Sequence, residues 1–270
     1  MAKTGSSLAL GAAARAAGYR LVALDEVSST NDVALAHASR SGSSRLWVVA
    51  QRQASGRGRH GRGWESSPGN LYASLALIDP CEVARAAEIG FVAGLALFEA
   101  ARAASGLDHP RLSLKWPNDL LADGAKCAGI LLEGHRLPSG AFALVIGIGA
   151  NVACAPSDLP QARALGAFAP QATAEQLFAG LSDEFARRFA AFASAPRSDE
   201  AHFAAWARRA HGIGSQVRVR LPTGEVTGLF RGLERGRLVL DTAEGRRRLD
   251  AGDLYVMSGT EAPRPEIEIR

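Results

Sequence analysis

Lysine and cysteine are both scarce in this chain of 270 residues. The 31 basic side chains include only three lysines: Lys3, Lys115 and Lys126. The three cysteines, Cys81, Cys127 and Cys154, are far apart and form no CxxC or Cys/His cluster. This spacing excludes a disulfide-stapled miniprotein and offers no metal-binding motif. We therefore expect buried free thiols and a cytoplasmic protein.

Long unbroken hydrophobic runs are also missing. The longest uncharged stretch, residues 137–157, contains two prolines and three glycines and is better suited to a buried strand with flanking turns than to a membrane span. A short apolar run over residues 8–14 is followed directly by Arg15, which argues against a cleaved secretion signal. We expect no membrane association.

The formal net charge is +4, with 47% hydrophobic residues, as in an ordinary globular chain. Residues 51–64 contain four arginines and no acid, so this one segment accounts for the whole excess. The remaining chain is balanced at 27 basic to 27 acidic side chains. The charge placement therefore predicts one local anion site rather than a nucleic-acid-binding surface.

Apolar patterns predict alternating strands and helices. Strands are expected at 21–27, 46–50, 71–77, 112–116, 127–133 and 142–152, and helices at 32–39, 82–104 and from a capping box at Thr173 and Gln176. After Gly212, short β-branched runs separated by turns predict a barrel of about five strands. The expected division is an N-terminal extension (1–20), a main domain (21–211), a barrel (212–262) and a tail (263–270).

The segment from Gln53 to Trp64 has the composition of an anion-binding loop. Its four glycines let the backbone approach a ligand, and Arg57, Arg59 and Arg62 supply guanidinium groups that match phosphate or carboxylate oxygens. A disordered Arg-Gly tract of the kind found in RNA-binding tails is the alternative. The position between two apolar strands favours an ordered loop.

Two further strings carry candidate chemistry. Two of the three lysines lie in residues 115–126, which suggests that a compact ammonium group is needed there, although chance clustering explains it as well. Gly147 and Gly149 alternate on an apolar strand that leads to Asn151. Such glycines mark either close backbone packing or a ligand lying against the sheet.

The order of these strings resembles the biotin protein ligases (biotin–[acetyl-CoA-carboxylase] ligases). The matching segments are 27–31, 53–64, 115–120, 126–133 and 147–152, and the region after Gly212 resembles the family's C-terminal SH3-like domain. The resemblance implies an α+β fold with a mixed sheet of the class II synthetase and lipoyl-ligase type. Ser28 departs from the family's usual Asp. The short segment before the first motif suggests a form without the N-terminal DNA-binding domain, so DNA binding is not expected.

The resemblance implies a two-step reaction. Biotin and Mg-ATP give biotinyl-5'-AMP and pyrophosphate, and a lysine of a biotin carboxyl carrier protein then takes the biotinyl group. Mg²⁺ is expected to be held mainly by the ATP phosphates, since no direct metal motif is present. A homodimer is a further expectation.

The resemblance also implies roles for individual residues. The catalytic residues are Lys126, Arg57, Arg59 and Asp119. The biotin-binding residues are Ser29, Thr30, Asn31, Gln53, Arg57, Gly58, Arg59 and Lys126. The nucleotide-binding residues are Arg57, Arg59, Arg62, Trp64, Asn118 and Asn151. Helix capping also explains Ser29, Thr30 and Asn31, and ordinary packing explains Trp64.

Two other functions fit parts of the pattern. A lipoate or octanoate ligase shares the fold and the adenylation chemistry but is separated by the GRGRxGR and KWPND strings. An RNA-binding module would use the Arg-Gly loop and the barrel, and it predicts binding with a steep salt dependence.

Overall fold

The computed structural model describes residues 7–196 and 199–257. A large sheet contains seven strands: β1 (Arg20–Val27), β2 (Leu46–Gln53), β3 (Leu71–Ile78), β4 (Leu112–Lys115), β5 (Asp119–Ala122), β6 (Ala125–Arg136) and β7 (Phe142–Ala150). The helices are α1 (Ala12–Ala16), α2 (Thr30–Ser41), α3 (Glu88–Ser105), α4 (Ala174–Ser194) and α5 (Ala201–Ala207). The predicted mixed sheet with helices is confirmed.

The strand order in the large sheet is β1-β2-β3-β7-β6-β5-β4. Strands β1 and β2 are parallel because α2 connects them as a crossover, and the other neighbours are antiparallel. Strand β5 was not predicted, because it is only four residues long and follows a turn at residues 116–118. The long strands β6 and β7 lie at the centre of the sheet, and β7 carries Gly147 and Gly149.

Both faces of the sheet are covered, and the alternation along β2 shows how. Leu46 and Val48 point to the face that α2 covers, while Trp47 and Val49 point to the larger core formed with α3 and α4. This alternation is the period of two that a strand imposes on its side chains. Because both faces are apolar, β3 is almost wholly buried, and so are the first five residues of β2, 46–50.

Helix α3 begins later than the sequence predicts. A separate 3-10 turn at Val83–Arg85 precedes it, and the helix itself starts at Glu88. Arg85 fixes this turn, because its guanidinium pairs with Glu88 at 3.0 Å and lies 4.6 Å from the ring of Phe192 on α4. At the start of α4 the predicted cap is confirmed, since Thr173 Oγ1 accepts a hydrogen bond from Gln176 N at 3.3 Å.

The residues before β1 pack on the core. Leu8, Leu10 and Ala14 are buried, and α1 lies against α4. The N–H of Gly11 donates to Ser182 Oγ and that of Ala14 to Asp183 Oδ1, both at 2.9 Å. From residue 7 onward the predicted N-terminal extension is therefore part of the folded body, and its first six residues lie outside the described chain.

A second sheet follows α5. It contains β8 (Gln216–Leu221), β9 (Gly224–Glu234), β10 (Arg237–Thr242), β11 (Gly245–Leu249) and β12 (Asp253–Val256), all antiparallel, in the order β11-β10-β9-β8-β12. The expected barrel is therefore an open five-stranded sheet in its backbone hydrogen bonding, with β11 and β12 as its edges. Residues 258–262 and the predicted tail lie outside the described residues. The four-part division of the chain stays a prediction.

The cysteines differ from the expectation of buried thiols. All three are free, but only Cys127 is buried, whereas Cys81 is partly exposed and Cys154 is exposed. Cys154 lies in an irregular segment after β7, where no strand covers it, and apolar neighbours in sequence do not ensure burial. No helix among the described residues is long and apolar enough to cross a membrane.

Candidate active site

A cavity of about 1110 Å³ opens where the large sheet meets the second sheet. Its walls come from the segment after β2, the centre of β6 and β7, the segment after β7, and strand β12. Every residue that the resemblance assigns to a site lines this cavity: Ser29, Thr30, Asn31, Gln53, Arg57, Gly58, Arg59, Arg62, Trp64, Asn118, Asp119, Lys126 and Asn151. The roles of these residues stay a prediction.

The N-terminus of α2 forms one end of the cavity. Ser29 stands at the N-cap position, but its side chain makes no capping hydrogen bond. Gln53 supplies the partner instead, because its Oε1 accepts from Thr30 N at 2.9 Å and from Thr30 Oγ1 at 3.0 Å. The expected hydroxyl cap is therefore wrong, because the Gln53 side chain from β2 accepts the hydrogen bond of the first N–H group of α2. The Ser29 hydroxyl is not needed for capping.

A buried polar network supports this end from below. The hydroxyl of Ser74 on β3, which is fully buried, lies 2.7 Å from Thr30 Oγ1 and 2.5 Å from Asn31 Oδ1. Asn31 Nδ2 donates to Glu133 Oε2 at 2.6 Å. Buried polar groups persist only when they are paired, so this network fixes the side chains of Thr30 and Asn31 in one orientation.

Glycines on β6 and β7 form the floor of the cavity. A Cβ atom at Gly147 would lie 2.4 Å from Asn31 Oδ1, and one at Gly149 would lie 2.4 Å from the Trp64 indole. Gly129 pairs with Gly149 across the sheet and leaves room for both Trp64 and Lys126. The sequence left two explanations for these glycines, close packing and a ligand surface. The structure shows close packing, because the glycines leave room for side chains that themselves line the cavity.

Lys126 lines the cavity between Asp119 and the Trp64 ring. Its Nζ forms an ion pair with Asp119 Oδ1 at 2.7 Å and lies 5.6 Å from the centre of the Trp64 ring. The backbone of Lys126 also holds the segment after β7, because its N–H donates to Gln161 O and its carbonyl accepts from Arg163 N. The segment of residues 153–164 is thus tied directly to the lysine.

The arginine-rich segment is an ordered loop, as predicted. The N–H of Gly58 donates to Arg62 O at 2.7 Å, and that of Trp64 donates to Gly56 O at 2.9 Å. These bonds close the loop into a narrow hairpin with His60 at its tip in a left-handed conformation (φ +57°). Side chains at Arg57, Arg59 and Arg62 all reach the cavity.

The three arginines nevertheless divide between two ends of the cavity. Arg57 forms a bidentate pair with Asp32 at 2.6 and 2.9 Å and lies 3.5 Å from Glu133, beside the start of α2. These hydrogen bonds lower the pKa of the Asp32 carboxyl and raise the pKa of Arg57. Arg57 therefore belongs to the Thr30 end of the cavity.

The other two arginines face the second sheet. Arg59 Nη1 donates to Asn118 Oδ1 at 3.0 Å and lies 3.8 Å from Asp253, while Arg62 Nη2 lies 3.2 Å from the same carboxylate. Beside them, burial lowers the pKa of Lys115, whose Nζ lies 4.9 Å from the centre of the Tyr255 ring. The positive charge of the loop is thus opposed by carboxylates from distant parts of the chain, which a count over residues 51–64 does not include.

Asn151 connects the floor to the segment after β7. Its N–H donates to Cys127 O and its carbonyl accepts from Leu165 N. Asn70 supports the same turn, because its Oδ1 accepts from three consecutive N–H groups at residues 152–154. Within residues 7–196 and 199–257, no three His, Cys, Asp or Glu side chains are grouped so that they could hold a metal ion.

Three residues of this site were not predicted from the sequence, Ser74, Glu133 and Asp253, and Lys115 was singled out there without an assigned role. A serine inside the apolar run 71–78 was a usable signal for Ser74, and the scarcity of lysine was one for Lys115. Glu133 and Asp253 carry no local signal, because their partners lie 102 and 191 residues away in the chain.

Comparison with known proteins decides the family. Residues 24–151 match the biotin/lipoate A/B protein ligase family, and residues 212–257 match the biotin protein ligase C-terminal domain. A biotin–[acetyl-CoA-carboxylase] ligase of Paracoccus denitrificans is 36% identical over 244 residues, covering 86% of this chain and 98% of the relative. The chain belongs to the biotin protein ligase family. It is accordingly an enzyme of the ligase class.

Two further relatives support the biotin protein ligase assignment. A biotin–[acetyl-CoA-carboxylase] ligase of Mycobacterium tuberculosis is 34% identical over 88% of this chain and 89% of its own length. A biotin protein ligase of Aquifex aeolicus, solved in complex with biotin and ATP, superposes with a TM-score of 0.74 at 27% identity, covering 88% of this chain and 98% of that one. The predicted family and fold class are confirmed.

Proposed function

We propose that this biotin protein ligase activates biotin with ATP and transfers it to a lysine of a biotin carboxyl carrier protein. The observation that carries the proposal is that Lys126 lines the same cavity as Thr30 and Asn31 of the buried polar network and the pair Arg59 and Arg62. A carboxylate held at the network and a triphosphate held at the arginines would meet at this ammonium group.

In the first step, a biotin carboxylate oxygen attacks the α-phosphorus of ATP. The bond from that phosphorus to the bridging oxygen breaks, and pyrophosphate leaves. Two like charges about 4 Å apart repel by roughly 4 kcal/mol at an effective dielectric constant near 20, so cations are needed to bring the reactants together. Lys126 supplies one charge at the carboxylate, and Arg59 and Arg62 supply two at the phosphates.

Mg²⁺ enters as part of the substrate Mg-ATP and supplies further neutralising charge on the phosphates. We expect this cation to be held mainly by phosphate oxygens and water. Asn118 and Asn151 line the nucleotide side of the cavity and offer amide groups to the nucleotide. Trp64, packed over Gly149 and Gly129, presents its ring at the junction of the two substrates.

Biotin would occupy the end of the cavity at α2. Its ureido ring needs both donors and acceptors, and Ser29, Thr30, Asn31 and Gln53 provide both within a buried wall. Thr30 and Gln53 are fixed by their mutual hydrogen bonds, so the wall is formed before the ligand arrives. Gly58 gives the ligand access to the loop backbone, and Arg57 is positioned by Asp32 beside it.

In the second step, the ε-amine of the carrier lysine attacks the acyl carbon of biotinyl-5'-AMP, and AMP leaves. The amine loses a proton, and the carboxylate of Asp119, 2.7 Å from Lys126, is placed to accept it. Pro156 and Leu159 in the segment after β7 line the cavity mouth and would shield the reactive adenylate from water.

The remaining expectations about partners and location stay proposals. The carrier protein belongs to a biotin-dependent carboxylase, homodimerisation is an open prediction, and no role in DNA or membrane binding is proposed. The cytoplasmic location rests on the three unpaired cysteines.

Incubation with biotin, Mg-ATP and a biotin carrier domain tests the proposal, with a mass gain on the carrier lysine as the expected result. Biotin-dependent exchange of pyrophosphate with ATP should accompany it. Exchange that depends on lipoate or octanoate instead would favour the alternative ligase. Tight RNA binding with a steep salt dependence, and no mass gain, would favour the binding module.

A further inference from the structure

Asp253 is the carboxylate closest to the two arginines that face the second sheet. Its Oδ2 lies 3.2 Å from Arg62 Nη2, and its Oδ1 lies 3.8 Å from Arg59 Nη1. It also favours the charged form of Lys115, which is buried beside it. Asp253 thus stands among three cations on the cavity wall, of which Lys115 also has Asp119 as a nearby carboxylate, in the place where an anionic ligand would be bound.

The backbone of the second sheet delivers Asp253 to this position. Asp253 begins the edge strand β12, where it pairs with Arg220 of β8. The preceding residue must be small, because a Cβ atom at Gly252 would lie 2.6 Å from Val219 Cγ1 and 3.0 Å from Arg220 O. Gly252 therefore lets the chain turn closely around β8 before Asp253 enters the cavity.

The pairs that Asp253 makes are exchangeable. The Arg62 side chain is 71% exposed, and ion pairs of such exposed groups are worth little free energy. The Arg59 side chain is 23% exposed, but its contact with Asp253, at 3.8 Å, is too long for a hydrogen bond. A triphosphate carries more negative charge than one carboxylate and offers more acceptor oxygens, so it can take both guanidinium groups. The same N–H groups cannot serve the carboxylate and a phosphate at once.

We propose that Asp253 is a positioning residue that stands in for a phosphate group. Without nucleotide it holds Arg59 and Arg62 toward the cavity, and it gives them up when Mg-ATP binds and takes them back when pyrophosphate leaves. This inference rests on the proposed function, since it assigns the phosphates to these two arginines. Asp253 thereby limits the affinity for both anions and aids the release of pyrophosphate.

Binding to the full chain, measured by calorimetry, tests this inference. The probes are inorganic pyrophosphate and, with biotin saturating, the Mg²⁺ complex of α,β-methylene-ATP, which cannot release pyrophosphate. Asp253→Asn should tighten binding of both probes about threefold to tenfold, because the competing charge is gone. Biotin affinity should not change, and Asp253→Glu, which keeps the charge, should bind both probes like the parent protein.

A matched control separates this effect from a general change in charge. Asp250 is three residues away and pairs with Arg237 at 2.9 Å outside the cavity, so Asp250→Asn should leave both affinities unchanged. In an Arg62→Gln background, Asp253→Asn should have a smaller effect, because one of the released guanidinium groups is missing.

Unchanged or weaker binding in Asp253→Asn, equal tightening in Asp250→Asn, or no binding of either probe by the parent protein would overturn the inference. A parent protein that binds both probes but shows no biotin-dependent exchange would contradict the proposed function and leave the role of Asp253 as an exchangeable counter-ion intact.

Discussion

The space around Lys126 is suited to an ammonium group. Its Nζ pairs with Asp119 at 2.7 Å, and Gly129 and the Trp64 ring close the other sides. A guanidinium group is wider and planar, so Lys126→Arg would keep the charge but displace it from the reacting oxygens. We expect the rate of biotin-dependent pyrophosphate exchange to fall by about a hundredfold or more, the size of effect seen when one transition-state donor is removed.

Thermal denaturation of Lys126→Arg is the control for that experiment, because a large drop in melting temperature would point to misfolding. An exchange rate within about threefold of the parent protein's would contradict the argument, since a threefold change is under 1 kcal/mol. The scarcity of lysine in this chain would then carry no chemical meaning at this position.

Ser74 and Ser113 are both buried serines on strands, but their hydroxyl groups differ. Ser74 Oγ contacts Thr30 and Asn31, whereas Ser113 Oγ has no hydrogen-bond partner among the described residues. Ser74→Ala should therefore cost about 1 kcal/mol of unfolding free energy and raise the KM for biotin several-fold, because Thr30 and Asn31 lose their common support.

Ser113→Ala is the matched control, and it should change neither the KM for biotin nor the stability by more than about 0.5 kcal/mol. The KM for ATP should be unaffected in both variants. If Ser74→Ala and Ser113→Ala had the same effect on biotin, the polar network would have only a structural role.

Local strings made much of the site predictable from the sequence. Residues 53–64 and 115–126 are contiguous, and their composition already indicates an anion loop and a compact cation. The partners of those residues could not be predicted in the same way. Glu133 pairs with Asn31, and Asp253 pairs with Arg62, only because the sheet and the second sheet bring them together.

Among the secondary-structure elements, strands could be predicted from the pattern of apolar residues, whereas helix caps could not. Strands β3 and β7 could be predicted from their apolar runs, because such runs are typical of strands that are buried on both faces. The N-terminal cap of α2 could not be predicted from the sequence, since the group that accepts from Thr30 N is Gln53, 23 residues away. A sequence shows the residues that can cap, but the fold decides which of them does.

Two helix glycines allow a testable comparison: Gly180 of α4 packs against α3, and Gly94 of α3 packs against α5. A Cβ atom at Gly180 would lie 3.4 Å from Ala100 Cβ, which is ordinary contact. One at Gly94 would lie 3.1 Å from Nε1 of Trp206, a fully buried ring on α5. Alanine has a higher helix propensity than glycine at either position. Gly180→Ala should therefore raise the unfolding free energy by about 0.5–1 kcal/mol.

Gly94→Ala should show no gain or a loss, because the overpacked ring offsets the same gain in propensity. Urea denaturation of the two variants and the parent protein measures the difference. Stabilisation of equal size in both would mean that the α3–α5 contact yields easily and that tight packing does not explain the glycine.

For the molecule as a whole, the second sheet is part of the same core as the first. Phe230 and Leu240 of that sheet belong to the hydrophobic cluster that contains α3 and α5. Trp116 Nε1 donates to Gly236 O at 3.2 Å, across the junction. This arrangement brings the carboxylate of Asp253 from the second sheet to the arginine loop. The excess charge of +4 that the sequence places in that loop therefore has an acidic group beside it.

A shared core predicts that both sheets unfold in one transition, and Gly236 offers the test. Its φ is +79°, and a Cβ atom there would lie 3.1 Å from Phe91 and 3.4 Å from Phe203. Gly140 has a similar φ of +87° but no atom within 4 Å of the added Cβ, so it isolates the backbone cost. We expect Gly140→Ala to lose about 1 kcal/mol and Gly236→Ala about 2–3 kcal/mol, since the second also disturbs the aromatic contact.

Differential scanning calorimetry should show a single transition for the parent protein and for both variants, with the larger drop in melting temperature for Gly236→Ala. The reason is that Phe91 on α3 and Phe203 on α5 connect the two sheets, with ring centres 5.2 Å apart, so weakening that contact destabilises both at once. Two separate transitions, of which Gly236→Ala shifts only one, would mean that the sheets fold independently and that Asp253 reaches the arginine loop from a separately folding unit.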